Sequence, residues 1–125
     1  MALNKLLTMR YLILIFSILF QNLAFAQQTD TLSIVKRVDS LLIEGTNLRK
    51  DRKNEKALLI TQTASEIALN NFGETSAKYA VTLHRLGIIH LSLGNDSITE
   101  FLYQKAIGIW QQQTNHIDPE YGNVL

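Results

Sequence analysis

The sequence contains no cysteine. A disulfide framework, a lipid-modified cysteine, a thiolate metal site and a cysteine nucleophile are all excluded by that absence. Proline occurs once, at Pro119, and the six glycines stand singly. There is consequently no glycine-rich phosphate loop, and no G-x-S-x-G serine elbow occurs either. Neither sign of charge is in excess: twelve Lys and Arg face eleven Asp and Glu. Without a strong net field, nucleic acid is not an implied partner. Histidine is sparse too. His84 and His90 are six apart, about 240° around a helix, so they cannot share a metal ion. His116 has Asp118 nearby but no third ligand. No metal site, cofactor or catalytic residue is expected from this inventory.

What is present begins with one apolar run. Residues 1–10 carry Lys5 and Arg10 and no acid, residues 11–20 (YLILIFSILF) have Ser17 as their one polar member, and Leu23-Ala24-Phe25-Ala26 follows. A basic start, a short apolar run and an A-x-A end are the parts of a secretory signal peptide. A spanning helix needs roughly 20 apolar residues, more than this run supplies. Cleavage near Ala26 and export to the periplasm or medium are expected. The alternative is an uncleaved membrane anchor over residues 3–25, interrupted by Asn4, Lys5, Arg10, Gln21 and Asn22. Removal of residues 1–26 takes two of the twelve bases, so ten face eleven acids, a net charge of −1.

Residues 27–125 read as helix, turn, helix throughout. After a polar lead-in, QQTDT, Asp30 or Thr31 is suited to cap a helix over 32–50, with Ile34, Val38, Leu41, Gly45 and Leu48 on one face. A charged break follows, in which five bases from Arg49 to Lys56 are interleaved with Asp51 and Glu55. That pattern belongs to a solvated turn. Asn54 is placed to cap a second helix over 54–71 with an apolar stripe of Ala57, Ile60, Thr61, Ala64, Ile67 and Ala68, closed by Gly73. Thr75 or Ser76 caps a third, whose Tyr79, Leu83, Leu86, Gly87 and His90 share a face. Gly94 ends it in a left-handed turn. Asp96 or Ser97, the latter with Glu100 in a capping-box spacing, starts a fourth helix with a stripe of Ile98, Phe101, Leu102, Ala106 and Ile109. Asp118-Pro119-Glu120 then has the residues of a fifth helix start.

The segment from residue 79 to 110 organises the rest, because its period recurs. At an offset of 42, Leu41 meets Leu83, Gly45 meets Gly87, Gln62 meets Gln104, Ala64 meets Ala106, Ile67 meets Ile109 and Tyr79 meets Tyr121. Mid-helix glycine is unfavourable by up to about 1 kcal/mol relative to alanine, so Gly45 and Gly87 mark points where a neighbouring helix comes close, with Ala64 and Ala106 expected opposite them. Self-similarity at such a period indicates stacked helical repeats.

Leu83-x-x-Leu86-Gly87, then Gly94, then Tyr103-x-x-Ala106 resembles a tetratricopeptide repeat. The 42-residue period, with Phe72-Gly73-Glu74 leading to Tyr79-Ala80, is similar to its long-period kinesin-light-chain type, as is Asp118-Pro119-Glu120-Tyr121-Gly122. The resemblance covers residues 38–125. It departs from the family at Thr99, where alanine is usual, and at Leu42-Ile43 and His84-Arg85, where asparagine pairs are common.

That resemblance implies an all-α solenoid of about two hairpins and the start of a third, preceded by a signal peptide (1–26) and a lead-in (27–37). It also implies a packing set of Leu41, Gly45, Ala64, Leu83, Leu86, Gly87, Tyr103 and Ala106. By position, Asp39, Leu42, Thr46, Arg49 and Lys50 of one helix and Val81, His84, Arg85, Ile88, Leu91 and Ser92 of the other would form a groove for a protein or peptide partner. Arg49 and Arg85 are suited to hold a carboxylate in it. Three functions are consistent with these residues. One is an exported, non-enzymatic interaction module. The second is a regulatory segment of a longer protein, such as a caspase-like (CHAT) peptidase or sensor kinase. The third is a structural four-helix bundle or homodimer, with self-association through the exposed stripes.

Overall fold

The computed structural model describes residues 1–114, and the expected fifth helix at Asp118 lies outside them. The described residues form four α-helices and no strand: α1 (Ala2–Lys50), α2 (Asn54–Phe72), α3 (Ala77–Ser92) and α4 (Asp96–Thr114). The chain divides into two units, Met1–Ser33 and Ile34–Leu125. The first is a single helical segment exposed along its whole length, long and apolar enough to cross a membrane.

The first helix departs from expectation at its start. Asp30 and Thr31 do not cap it, because the helix runs through them unbroken from Ala2. Thr29 and Thr31 turn their hydroxyls back to the carbonyls of Ala26 and Gln27, at 2.7 and 3.0 Å. Polar residues that satisfy themselves on the preceding turn do not interrupt a helix.

Within the second unit the two hairpins repeat in register. The helix ends Lys50 and Ser92, the starts Asn54 and Asp96, and the ends Phe72 and Thr114 are each 42 residues apart. Their turns match bond for bond. Lys53 N donates to Leu48 O and Asn95 N to His90 O, both at 2.9 Å, while Arg52 N donates to Arg49 O and Gly94 N to Leu91 O at 3.0 and 3.1 Å. Both turns pass through a left-handed residue, Gly94 (φ +77°) as expected and Arg52 (φ +61°) without a sequence signal.

Two cap assignments fail. Lys53, not Asn54, precedes α2, and no side chain caps it; Asn54 lies inside the helix with Oδ1 buried and unpartnered. Asp96, Ser97 and Glu100 likewise lie within α4, where Glu100 accepts from Gln104 Nε2 at 3.1 Å. In both, the left-handed residue sets the entry geometry one residue earlier than the side chains suggest. Ser76 does cap α3, accepting from Tyr79 N at 3.2 Å.

α3 touches each of the other helices, which is why more than one stripe of it is buried. Besides the expected Tyr79, Leu83, Leu86 and Gly87, it buries Ala80, Thr82 and Ile89. Toward α2, Thr82 Oγ1 donates to its own helix at Tyr79 O (2.7 Å) and lies 3.1 Å from Ser65 Oγ. Toward α4, the Thr99 hydroxyl is 3.2 Å from Gly87 O and 3.0 Å from Asn95 O, which satisfies the polar group where alanine was expected. Toward α1, Lys78 Nζ lies 2.8 Å from Asp39 Oδ1. A shared core unites Val38 and Leu42 of α1, Ala64 and Ala68 of α2, Tyr79, Ala80 and Leu83 of α3, and Ala106 and Ile109 of α4.

Of the three mid-helix glycines, Gly45 and Gly87 mark close approaches, although not to the alanines expected, whereas a Cβ on Gly108 of α4 would meet nothing within 4 Å. A Cβ on Gly45 would run into Thr61 Oγ1, and one on Gly87 would sit 2.5 Å from Tyr103 Cε1. Ala64 and Ala106 are fully buried one turn further along. Three placements are also corrected. Ile98 and Phe101 are exposed, since the face of α4 that meets α3 carries Thr99, Tyr103, Ala106 and Ile109 instead. His90 is half-buried and its Nδ1 lies 3.2 Å from Asn95 Nδ2 at the turn, so it is not a packed core residue.

Candidate partner-binding groove

Val38, Leu42 and Gly45 seat one face of α1 in the core, and the next face, at residues 39, 43, 46, 47 and 50, is left beside α3. The result is an open groove of about 430 Å³, lined by Asp39, Leu42, Ile43, Thr46, Asn47 and Lys50 of α1 and by Val81 and Arg85 of α3. Asp39 opposite Lys78, and Thr46 beside Arg85, are offset by the same 39 residues. Pairs of constant offset mean that α1 and α3 run parallel here. Below the groove, Arg49, Thr61, Ile88 and Ile89 bound a void of about 10 Å³ together with Thr46 and Arg85.

Of the eleven groove residues expected from the sequence, Asp39, Leu42, Thr46, Lys50, Val81 and Arg85 line it, and Arg49 and Ile88 border the void beneath. Leu42 differs in detail: it is 7% exposed and belongs to the core, so it forms the floor rather than a free apolar contact. Three residues lie elsewhere. His84 stacks on the Tyr103 ring (centroids 5.3 Å, planes at 30°) and lies 5.9 Å from the Trp110 ring. Leu91 is exposed on the last turn of α3, and Ser92 donates to Ile88 O at 3.1 Å on the same turn. Ile43 and Asn47 were missed. Their spacing of four from Asp39 and from Ile43, along the stripe to Thr46 and Lys50, is the signal that would have found them.

The groove has an electrostatic bias. Its one acid, Asp39, is engaged by Lys78. Among the described residues no acid lies within 4.0 Å of Lys50, Arg49 or Arg85. Apolar surface comes from Ile43, 62% exposed, and from half-buried Val81.

No protein-family model, curated protein or solved structure matches this chain. Its functional reading therefore rests on its own geometry. Among the described residues no three His, Asp or Glu side chains converge as metal ligands. A larger concave space, about 670 Å³, lies along Leu12, Phe16 and Phe20, but all its lining residues belong to one stretch of α1 in the first unit, with no second wall to hold a ligand. A further depression at the start of α2 is lined by Arg52, Lys53, Asn54, Glu55 and Lys56 with Leu93, a turn of mixed charge.

Proposed function

We propose that the chain is an exported protein–protein interaction module of tetratricopeptide-like stacking, without a catalytic step of its own, whose α1/α3 groove receives a partner polypeptide. The observation that carries the reading is the pairing of an apolar wall, exposed Ile43 and half-buried Val81, with cations that have no acid within 4.0 Å among the described residues, Arg85 and Lys50. A segment presenting a carboxylate next to an apolar side chain satisfies both, the guanidinium of Arg85 being suited to bidentate contact.

The stacking reading is supported by the exact 42-residue recurrence of helix ends and turns and by the parallel course of α1 and α3. In an up-down four-helix bundle those two helices would be diagonal across the core; here they share a groove. The described residues form two hairpins, fewer than the roughly three that stacked repeats ordinarily need, which favours additional packing from a partner.

The export reading draws on the basic start, the apolar run and the Ala24-Phe25-Ala26 end, and its test is the intact mass of the protein from its native cells. A species starting at Gln27 supports it; one starting at Met1 in the membrane fraction replaces export with anchoring. For the groove, fluorescence anisotropy with acidic-apolar and basic-apolar peptides is decisive. Saturable binding of the acidic set that weakens with salt and is lost in Arg85→Glu supports the proposal. Equal binding of both sets, or an Arg85→Glu variant that binds unchanged, refutes it.

A further inference from the structure

We propose that Gln27 is a modification site: once the chain is cut after Ala26, this glutamine closes on its own amino group to pyroglutamate, a neutral lactam. The inference rests on the export reading, which supplies the cut, and it concerns a residue outside the groove.

The residue type comes first. Gln27 directly follows Ala24-Phe25-Ala26, so the cut that releases the apolar run leaves glutamine at the new terminus. Its side-chain amide carbon is placed to close a five-membered ring with its own α-nitrogen. The nitrogen lone pair attacks Cδ and the Nα–Cδ bond forms; the Cδ–Nε2 bond then breaks, and Nε2 leaves as ammonia, taking up the proton released from Nα. No oxidant, reductant or second substrate is consumed. Both reacting groups belong to one residue, which makes the step unimolecular. An α-amino group is far less basic than a lysine side chain, so a usable fraction of it is unprotonated near neutral pH.

The structure adds access. Residues 27–33 are all exposed, so neither the spontaneous reaction nor a cyclising enzyme is obstructed at Gln27. It also supplies a reason for the product to be favoured. The same residues lie within α1, whose later turns bury Val38, Leu42 and Gly45. In the uncut helix the N–H groups of residues 27–30 have carbonyl partners one turn upstream, and Thr29 Oγ1 donates to Ala26 O at 2.7 Å. The cut removes those acceptors. Gln27 becomes the first residue of the helix, and its α-ammonium stands at the positive end of the helix dipole, where a cation is unfavourable.

Ring closure removes that charge and keeps a lactam N–H. Asp30, three residues on, has the capping-box spacing and can accept from that N–H as it can from the ammonium, so the ring loses no hydrogen bond. The bond from Thr31 Oγ1 to Gln27 O, 3.0 Å, needs nothing upstream of the cut and is available to the first turn in either form. The product has no free α-amine. Aminopeptidases, which bind that amine, therefore cannot shorten α1 from this end.

The test is peptide mapping of the protein recovered from its native cells, with primary amines blocked by reductive dimethylation in the fresh extract, before digestion, so that no ring forms during handling. Expected is an N-terminal peptide that starts at residue 27, carries no label on its α-nitrogen and is lighter by one ammonia than the unmodified peptide. Pyroglutamyl peptidase should then remove its first residue and expose Gln28. A Gln27→Ala variant, which has no amide to lose, should be cut at the same bond and take the label; an unlabelled variant terminus would overturn the proposal, because another block would then explain the parent. A labelled peptide of full mass starting at Gln27 overturns it too and leaves export standing. A terminus at Met1, or at any other residue, overturns the export reading and this proposal together.

Discussion

Gly87 lies against the ring of Tyr103, and Gly45 lies in the same way against Thr61, the residue 42 positions before that tyrosine. One contact is therefore built twice with a different filler: a hydroxyl side chain in the first hairpin and an aromatic ring in the second. The glycine is required in each because its partner occupies the space of a Cβ.

Gly87→Ala should destabilise the protein although alanine is the better helix former. The ring must move, and overpacking of this kind costs about 1–3 kcal/mol, offset by up to about 1 kcal/mol of helix propensity. In a Tyr103→Ala background the obstacle is gone, and Gly87→Ala should become neutral or stabilising. A double-mutant cycle by urea denaturation measures the difference, and additivity of the two substitutions would contradict the contact.

The turns make a paired prediction. Arg52 holds a left-handed conformation that disfavours side chains by roughly 1–2 kcal/mol, whereas Gly94 holds it freely. Arg52→Gly should raise the melting temperature and Gly94→Ala should lower it. Equal and opposite shifts are not required; opposite signs are.

Thr82→Val should leave shape almost unchanged while removing the hydroxyl beside Ser65. That interface is buried, and a buried hydroxyl left without a partner costs about 1–3 kcal/mol. Thr82→Val combined with Ser65→Ala should recover much of the loss, read as a return of the urea midpoint toward that of the parent.

Asp39→Asn tests the groove rather than the fold. The Lys78–Asp39 pair is partly exposed (27% and 48%), so its loss should change stability by less than about 1 kcal/mol. With the groove's one acid neutralised, binding of an acidic-apolar peptide should tighten. Weaker binding would place Asp39 on the partner-contacting side.

How much of this could be read without a structure varies element by element. The helical class, the ends of α1 and α3, the capping of α3 by Ser76 and the left-handed Gly94 followed from residue type and spacing, because caps and glycine turns are local physics. The 42-residue period was visible in Gly45 and Gly87, yet their partners were misassigned. Opposite a glycine the closest residue is decided by the crossing of two helices, and no single helix's pattern contains it. Arg52 shows the same limit. Nothing in arginine prefers a positive φ, and only the turn's hydrogen bonds hold it there.

The groove was legible in outline because the family resemblance put positions of α1 and α3 on one concave wall, and six of those positions line one depression. Where its walls end was not. Sequence alone determined that helices with apolar faces follow one another from residue 32 to residue 114 and that no disulfide joins them. Tertiary packing decided which face each helix turned inward. With α3 in contact with all three neighbours, Leu42 became floor, His84 was drawn onto Tyr103, and Ile98 and Phe101 were left outside. Those outcomes depend on which surfaces compete for the same contact, a property of the assembled helices rather than of any one segment.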